Sequence, residues 1–162
     1  MNSNNRAVVT LPSENEILIT RVFAAPRELV FRAHTDPLLI PRWWGPRNTT
    51  TIVDHMDVRP GGTYRFVHRT PDGFEVVFRG EFREIVPHER LVQTSEMEGN
   101  PGALLEIMTF TERDGLTTLA AREVCPSREV RDAVLASGME EGLQESYVRL
   151  DELFASEQAA AS

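Results

Sequence analysis

The most ordered alternation of apolar and polar positions lies near the C-terminus, in Ser137 to Phe154, SGMEEGLQESYVRLDELF. At about 100° per residue, Met139, Leu143, Ser146, Leu150, Leu153 and Phe154 fall on one side, with Tyr147 at its edge. Glu140, Glu141, Gln144, Glu145, Asp151 and Glu152 take the other side. The spacing predicts an amphipathic helix that must lie on an apolar surface. Gly138 and Gly142 interrupt it, each costing about 1 kcal/mol relative to alanine in a helix interior. They mark either a chain break with close packing or room left for a guest beneath the helix. Just upstream, Ser127 reads as an N-cap and Glu129 suits the first turn of a helix. Val130, Ala133 and Val134 lie on a different side from the later stripe, which predicts a kink or two helical pieces.

The rest of the chain reads mainly as strands. Glu16 to Phe23 is a first strand rich in β-branched residues. Two short helices follow. Pro26 fits the first turn of one, with Leu29, Val30 and Ala33 as its inward stripe. Asp36-Pro37 starts the other, which Pro41 and Gly45-Pro46 then end. Further strands are predicted over Thr49 to Val58, Thr63 to Thr70, Val76 to Arg83, from Leu91, Leu104 to Thr111 and Leu116 to Val124. Pro71-Asp72-Gly73 and Arg113-Asp114-Gly115 read as hairpin turns, and Glu98 to Gly102 as a loop. Tyr64, Phe66 and His68 share one face of their strand; Val76, Phe78, Gly80 and Phe82 share one face of the next. Glu106, Met108 and Phe110 share a face opposite Leu105, Ile107 and Thr109, and because both faces are largely apolar, alternation does not say which is inward. If the Met108 face is inward, Glu106 needs a partner such as Arg122 or His68. Otherwise it reaches water at the strand end. Of the adjacent Trp43 and Trp44, one can anchor the core while the other borders a cavity or the surface.

At 162 residues, 41% hydrophobic and 26% charged, the composition is that of one globular domain. The expected organisation is a domain over 14–155 with flexible tails at 1–13 and 156–162. No apolar run approaches the roughly 20 residues of a membrane span, and no signal-peptide core is apparent, so a cytoplasmic location is expected. The net charge of −8 argues against a general nucleic-acid binder. All 17 basic residues are arginine, which removes Schiff-base and P-loop lysine chemistry. A single cysteine, Cys125, and four histidines without ligand spacing give no metal site. No cofactor is expected.

Five blocks in series then carry a resemblance. Ile19 to Phe31 (ITRVFAAPRELVF), Thr35-Asp36-Pro37, Arg42 to Pro46 (RWWGP), Arg59 to Gly62 (RPGG) and Gly138 to Gly142 (GMEEG) are similar to signatures of the SRPBCC superfamily. START and birch-pollen-allergen proteins belong to that superfamily. The branch resembled is the AHSA type, named for activators of the ATPase of the large heat-shock chaperone. The resemblance covers about residues 16–155. It implies an α+β helix-grip fold: a curved antiparallel sheet of about seven strands around a long C-terminal helix, with two short helices after the first strand. Two positions depart from the pattern. His34, expected at the surface of a short helix, stands where relatives carry an aromatic residue. Leu143 stands where they often carry a larger one.

Superfamily members include hydrophobic-ligand carriers, polyketide cyclases and chaperone activators, and fold alone does not choose among them. The leading expectation is binding of a small aromatic, polyketide-like or lipid-like molecule between sheet and helix. Trp43, Tyr64, Phe66, His68, Phe78, Phe82, Glu106, Met108, Phe110, Met139, Gly142, Leu143 and Tyr147 would line that site. The alternatives are a cyclase- or hydrolase-like enzyme using His68 or Glu106 as acid or base, for which no catalytic motif is present, and a chaperone-regulating module by analogy. No membrane insertion is expected, and open sheet edges are compatible with a homodimer.

Overall fold

The computed structural model describes residues 5–161, apart from the side chain of Pro101. Its centre is one antiparallel sheet of eight strands in the order β1-β2-β8-β7-β6-β5-β4-β3. These are β1 (Val8–Thr10), β2 (Glu16–Phe23), β3 (Thr50–Met56), β4 (Thr63–Arg69), β5 (Glu75–Val86), β6 (Arg90–Met97), β7 (Asn100–Arg113) and β8 (Leu116–Val124). The helices are α1 (Arg27–Thr35), α2 (Ile40–Trp43), α3 (Arg128–Ala136) and α4 (Met139–Ala161). This is the helix-grip fold. Register shifts at Val53/His55, Phe82/Glu84 and Ser95/Met97 are bulges of the kind that bend a sheet. Among the described residues, no helix is long and apolar enough to cross a membrane.

Period-two alternation assigns the faces. Ile17, Ile19 and Phe23 on β2, Tyr64 and Phe66 on β4, and Met108 and Phe110 on β7 are buried beneath the helices. The opposite face carries arginine–carboxylate pairs such as Arg65–Glu98, Arg79–Glu96 and Arg90–Glu84, which keep it solvated. Ser146, Tyr147, Leu150, Leu153 and Phe154 form the buried stripe of α4. The Phe23 ring meets both Tyr147 and Phe154 edge-on, with centroids 5.3 and 5.5 Å apart. The helical tail is indeed two pieces, separated at Gly138, whose φ of +85° is costly for a residue with a Cβ. Ser127 caps α3 by accepting from the Val130 amide at 3.1 Å.

Several local expectations change. β1 occupies part of the segment expected to be a flexible tail, because the Gln144 side chain of α4 bonds both the amide and the carbonyl of Ala7. At the other end α4 runs to Ala161 rather than stopping near Phe154. Its alanine-rich end favours helix, and Gln158 donates to the Ala24 carbonyl at 3.0 Å. Residues 1–4 and 162 of the two expected tails lie outside the described residues. Asp36 does cap a turn, through the Leu38 amide at 2.9 Å, but α2 starts at Ile40 with Pro41 in its first turn instead of ending there. The segment 98–102 is mostly strand: Met97 pairs with Asn100 around Glu98-Gly99.

Arg21 points inward from β2 and its side chain is 2% exposed. Its two terminal nitrogens donate to the two carboxylate oxygens of Asp151 on α4 at 2.6 and 2.8 Å. The guanidinium carbon also stands 4.7 Å from the Phe23 ring centroid. A single bidentate clamp thus ties the long helix to the sheet.

Candidate ligand-binding site

Where α4 crosses the sheet, the packing is incomplete and leaves a cavity of about 320 Å³. The sheet supplies Ile19, Met56, Tyr64, Phe66, His68, Phe78, Phe82, Gln93, Glu106, Met108, Ala121 and Glu123. Met139, Gly142, Leu143, Ser146 and Tyr147 of α4 form the opposite wall, and His34, Ile40, Trp43, Trp44, Gly45 and Pro46 close one side. All the residues expected from sequence stand on this wall except Phe110. That ring is capped by Phe31 and His34 of α1, at centroid distances of 5.3 and 5.5 Å, which place it behind the cavity. The register of β4 and β5 explains part of the convergence: Phe66 faces Phe78, and Tyr64 faces Gly80. A Cβ at Gly80 would collide with the Tyr64 ring and the Thr94 carbonyl, so glycine lets that ring lie flat against the strand.

The two tryptophans divide their roles. Trp43 is buried and donates its indole N–H to the Ala33 carbonyl at 2.9 Å, fixing α2 against α1. Trp44 turns its ring to Phe66, His68 and Phe78, with centroids 5.6, 5.7 and 4.9 Å away. The following loop is fastened to α4. The Gly45 amide donates to Ser146 Oγ at 3.0 Å, and Arg149 donates to the Gly45 carbonyl at 3.0 Å.

His34 is not the surface residue expected. It is 9% exposed, and its Nδ1 lies 2.8 Å from the Val30 carbonyl, which fixes a proton on that nitrogen. Helix α1 therefore buries Val30, Phe31, Ala33 and His34, a stripe shifted from the expected Leu29, Val30 and Ala33. Burial depresses the imidazole pKa to about 4, so His34 serves the wall as a neutral aromatic ring. His68 is also held below its usual value, by burial and then by the Arg149 charge. Thr51 gives its hydroxyl proton to the Trp44 carbonyl at 2.7 Å. His68 Nδ1, 3.3 Å from the same hydroxyl oxygen, is then the donor of that contact, which leaves its Nε2 as an acceptor.

The polar end of the cavity is the larger departure from expectation. Glu106 faces inward, away from the strand-end water expected for it, but neither Arg122 nor His68 is its hydrogen-bond partner. Arg122 lies on the other face, paired with Glu16 at 3.1 Å. Glu106 instead accepts from Gln93 Nε2 at 3.0 Å and stands directly opposite a second carboxyl, Glu123, in the β7–β8 register. Glu123 is 8% exposed, and its Oε2 has no hydrogen-bond partner. Burial first, then the Glu106 charge and a hydrogen bond with Glu106, push Glu123 well above the ordinary carboxyl range. Burial and the facing carboxyl therefore both favour the protonated form of Glu123. Glu123 was absent from the sequence-based set, although its signal was present. The Asp114-Gly115 turn sets Arg113 opposite Leu116, and counting back seven residues on each strand brings Glu106 to Glu123.

Among the described residues there is no group of His, Cys, Asp and Glu side chains able to hold a metal ion. The site is an apolar chamber with one acidic end.

No curated protein matches this chain. Solved structures do. A crystal structure of a Rhodobacter sphaeroides protein is 28% identical, with 93% of this chain and 99% of the other covered and a TM-score of 0.88. A Chromobacterium violaceum protein is also 28% identical, over 88% of this chain and 98% of its own, with a TM-score of 0.79. The solution structure of an Arthrobacter aurescens protein, at 21% identity and a TM-score of 0.84 over 92% of this chain and 91% of that one, shows the shared fold. The model of the family described as activator of Hsp90 ATPase homolog 1-like proteins matches residues 24–155. The chain therefore belongs to this family, the AHSA-type branch of the SRPBCC superfamily.

Proposed function

We propose that this protein binds a small apolar molecule, aromatic or lipid-like, in the cavity between α4 and the sheet. The observation that supports this most is the cavity itself. Protein interiors rarely leave voids much larger than a water molecule, whereas about 320 Å³ falls at the lower end of the range of small-molecule sites. Its walls have the expected chemistry: aromatic and aliphatic side chains with a few polar groups to orient a guest. The size suits a compound of one or two fused rings better than a long-chain lipid. Catalysis on such a guest is the second reading. One feature favours it, the side-by-side Glu106 and Glu123 side chains, a pair able to hold and move a proton.

A thermal-shift screen against one- and two-ring apolar compounds tests the binding function. At least one class of compound is expected to raise the melting temperature in a saturable way, as any ligand selective for the native state must. A flat response across the series would count against binding here.

A further inference from the structure

We propose that the occupant of the cavity is an apolar amine, whose ammonium group is received by Glu106 and Glu123. This rests on the binding function proposed above and names its ligand class. The geometry supplies the reasons. Glu106 and Glu123 project from matched positions of neighbouring strands, and like charges placed opposite each other on a sheet are unfavourable without compensation. Compensation inside the cavity is small: Gln93 donates one hydrogen bond to Glu106, and the two carboxyls otherwise lean on each other. Among the described residues no arginine lines the chamber, and the two histidines on its wall are both held toward the neutral form by burial.

Glu123 Oε2 is shut from solvent and has no hydrogen-bond partner among the described residues. A buried acceptor left unpaired is costly, and such groups in folded proteins are generally satisfied. A cation with N–H donors satisfies both needs, supplying the missing hydrogen bond and the missing charge. The remainder of the wall suits the rest of an aryl amine. Tyr64 and Tyr147 lie near the carboxyls, and aromatic faces also attract cations. An ammonium placed between them donates to both carboxyl groups and favours their ionised form, any proton held by Glu123 leaving to solvent.

Three probes of one shape test this: naphthylmethylamine, naphthylmethanol and methylnaphthalene, titrated calorimetrically against the native protein and the Glu123→Gln variant. The amine is expected to bind at least about tenfold more tightly than the alcohol, the size of one charge-assisted hydrogen bond. Glu123→Gln should cut that advantage severalfold, with Glu106 left as the remaining acceptor, and a cooperative urea transition shows that the variant is folded. Equal affinity for all three probes, unaltered by the substitution, would overturn the amine assignment while the apolar site stood. Alcohol binding as tight as amine binding would overturn it too. Failure of all three to bind would remove the binding function together with it.

Discussion

Replacing Gly142 with phenylalanine is expected to abolish ligand binding and leave the protein folded. Gly142 lies on the cavity wall, and a Cβ added there would meet only Pro46 Cγ at 3.6 Å, an ordinary contact. The backbone therefore accepts a side chain, and a phenyl ring carried on it has the cavity to enter. A ring in that space excludes a ligand of similar size, so affinity should fall by about a hundredfold or more, equivalent to roughly 3 kcal/mol. Stability should change little. Removing a glycine from a helix interior gains several tenths of a kcal/mol, which offsets some crowding. Gly142→Ala is the matched control: it fills almost nothing, so binding should persist and stability should rise by up to about 1 kcal/mol. Both are read by titrating one fluorescent apolar probe and by urea unfolding. Undiminished affinity in the phenylalanine variant would place the ligand elsewhere.

Asp151→Ala is expected to destabilise the protein by about 3 kcal/mol. Asp151 is the only carboxylate on the nearly inaccessible Arg21 guanidinium among the described residues. The arginine keeps weaker contacts, to the Asn5 carbonyl at 3.1 Å and to the Val22 carbonyl at 3.4 Å, while its Nε already lacks a partner. Breaking a buried pair from one side leaves a charge in a poorly solvating interior and typically costs about 3–5 kcal/mol. Asp151 is itself 40% exposed, so water can partly replace it, which places the expectation at the lower end. For a chain of this size that is a fall in melting temperature of roughly 6–12 °C. The double substitution Arg21→Met with Asp151→Leu should recover most of the loss, since an apolar pair of similar volume is often as stable as a buried ion pair. Urea denaturation of the three variants checks both parts. A loss below about 1 kcal/mol for Asp151→Ala would mean that the clamp contributes little.

The contrast between these residues shows what the sequence made legible. Period-two and 3.6-residue patterns identified strands β2 to β8, the split helical tail and the α4 stripe, because apolar periodicity reports burial directly. Tyr64, Phe66, Phe78 and Met108 followed from the same signal once one face was taken as inward. Polar residues on buried faces were harder. Arg21 sits in the inward phase of β2, between Ile19 and Phe23, yet its charge suggests a surface position until Asp151 is brought against it from 130 residues away. His34 is hidden on its short helix by α2 and β7, which bring Trp43 and Phe110 to its ring. Phe110 left the cavity for the same reason, through a contact with α1 that strand alternation cannot encode. Glu123 is the instructive case. Its partner was fixed by hairpin register, so a register count rather than a search for motifs would have found the carboxyl pair.

The proposed occupancy of the cavity is tested most directly by native mass spectrometry of the protein as purified, followed by denaturing extraction of whatever it carries. A single stoichiometric adduct of low mass is expected, one that leaves on denaturation and is apolar with a basic nitrogen. If the protein flies as the bare chain and neither naphthylmethylamine, naphthylmethanol nor methylnaphthalene added in excess yields a specific adduct, the cavity is not a binding site.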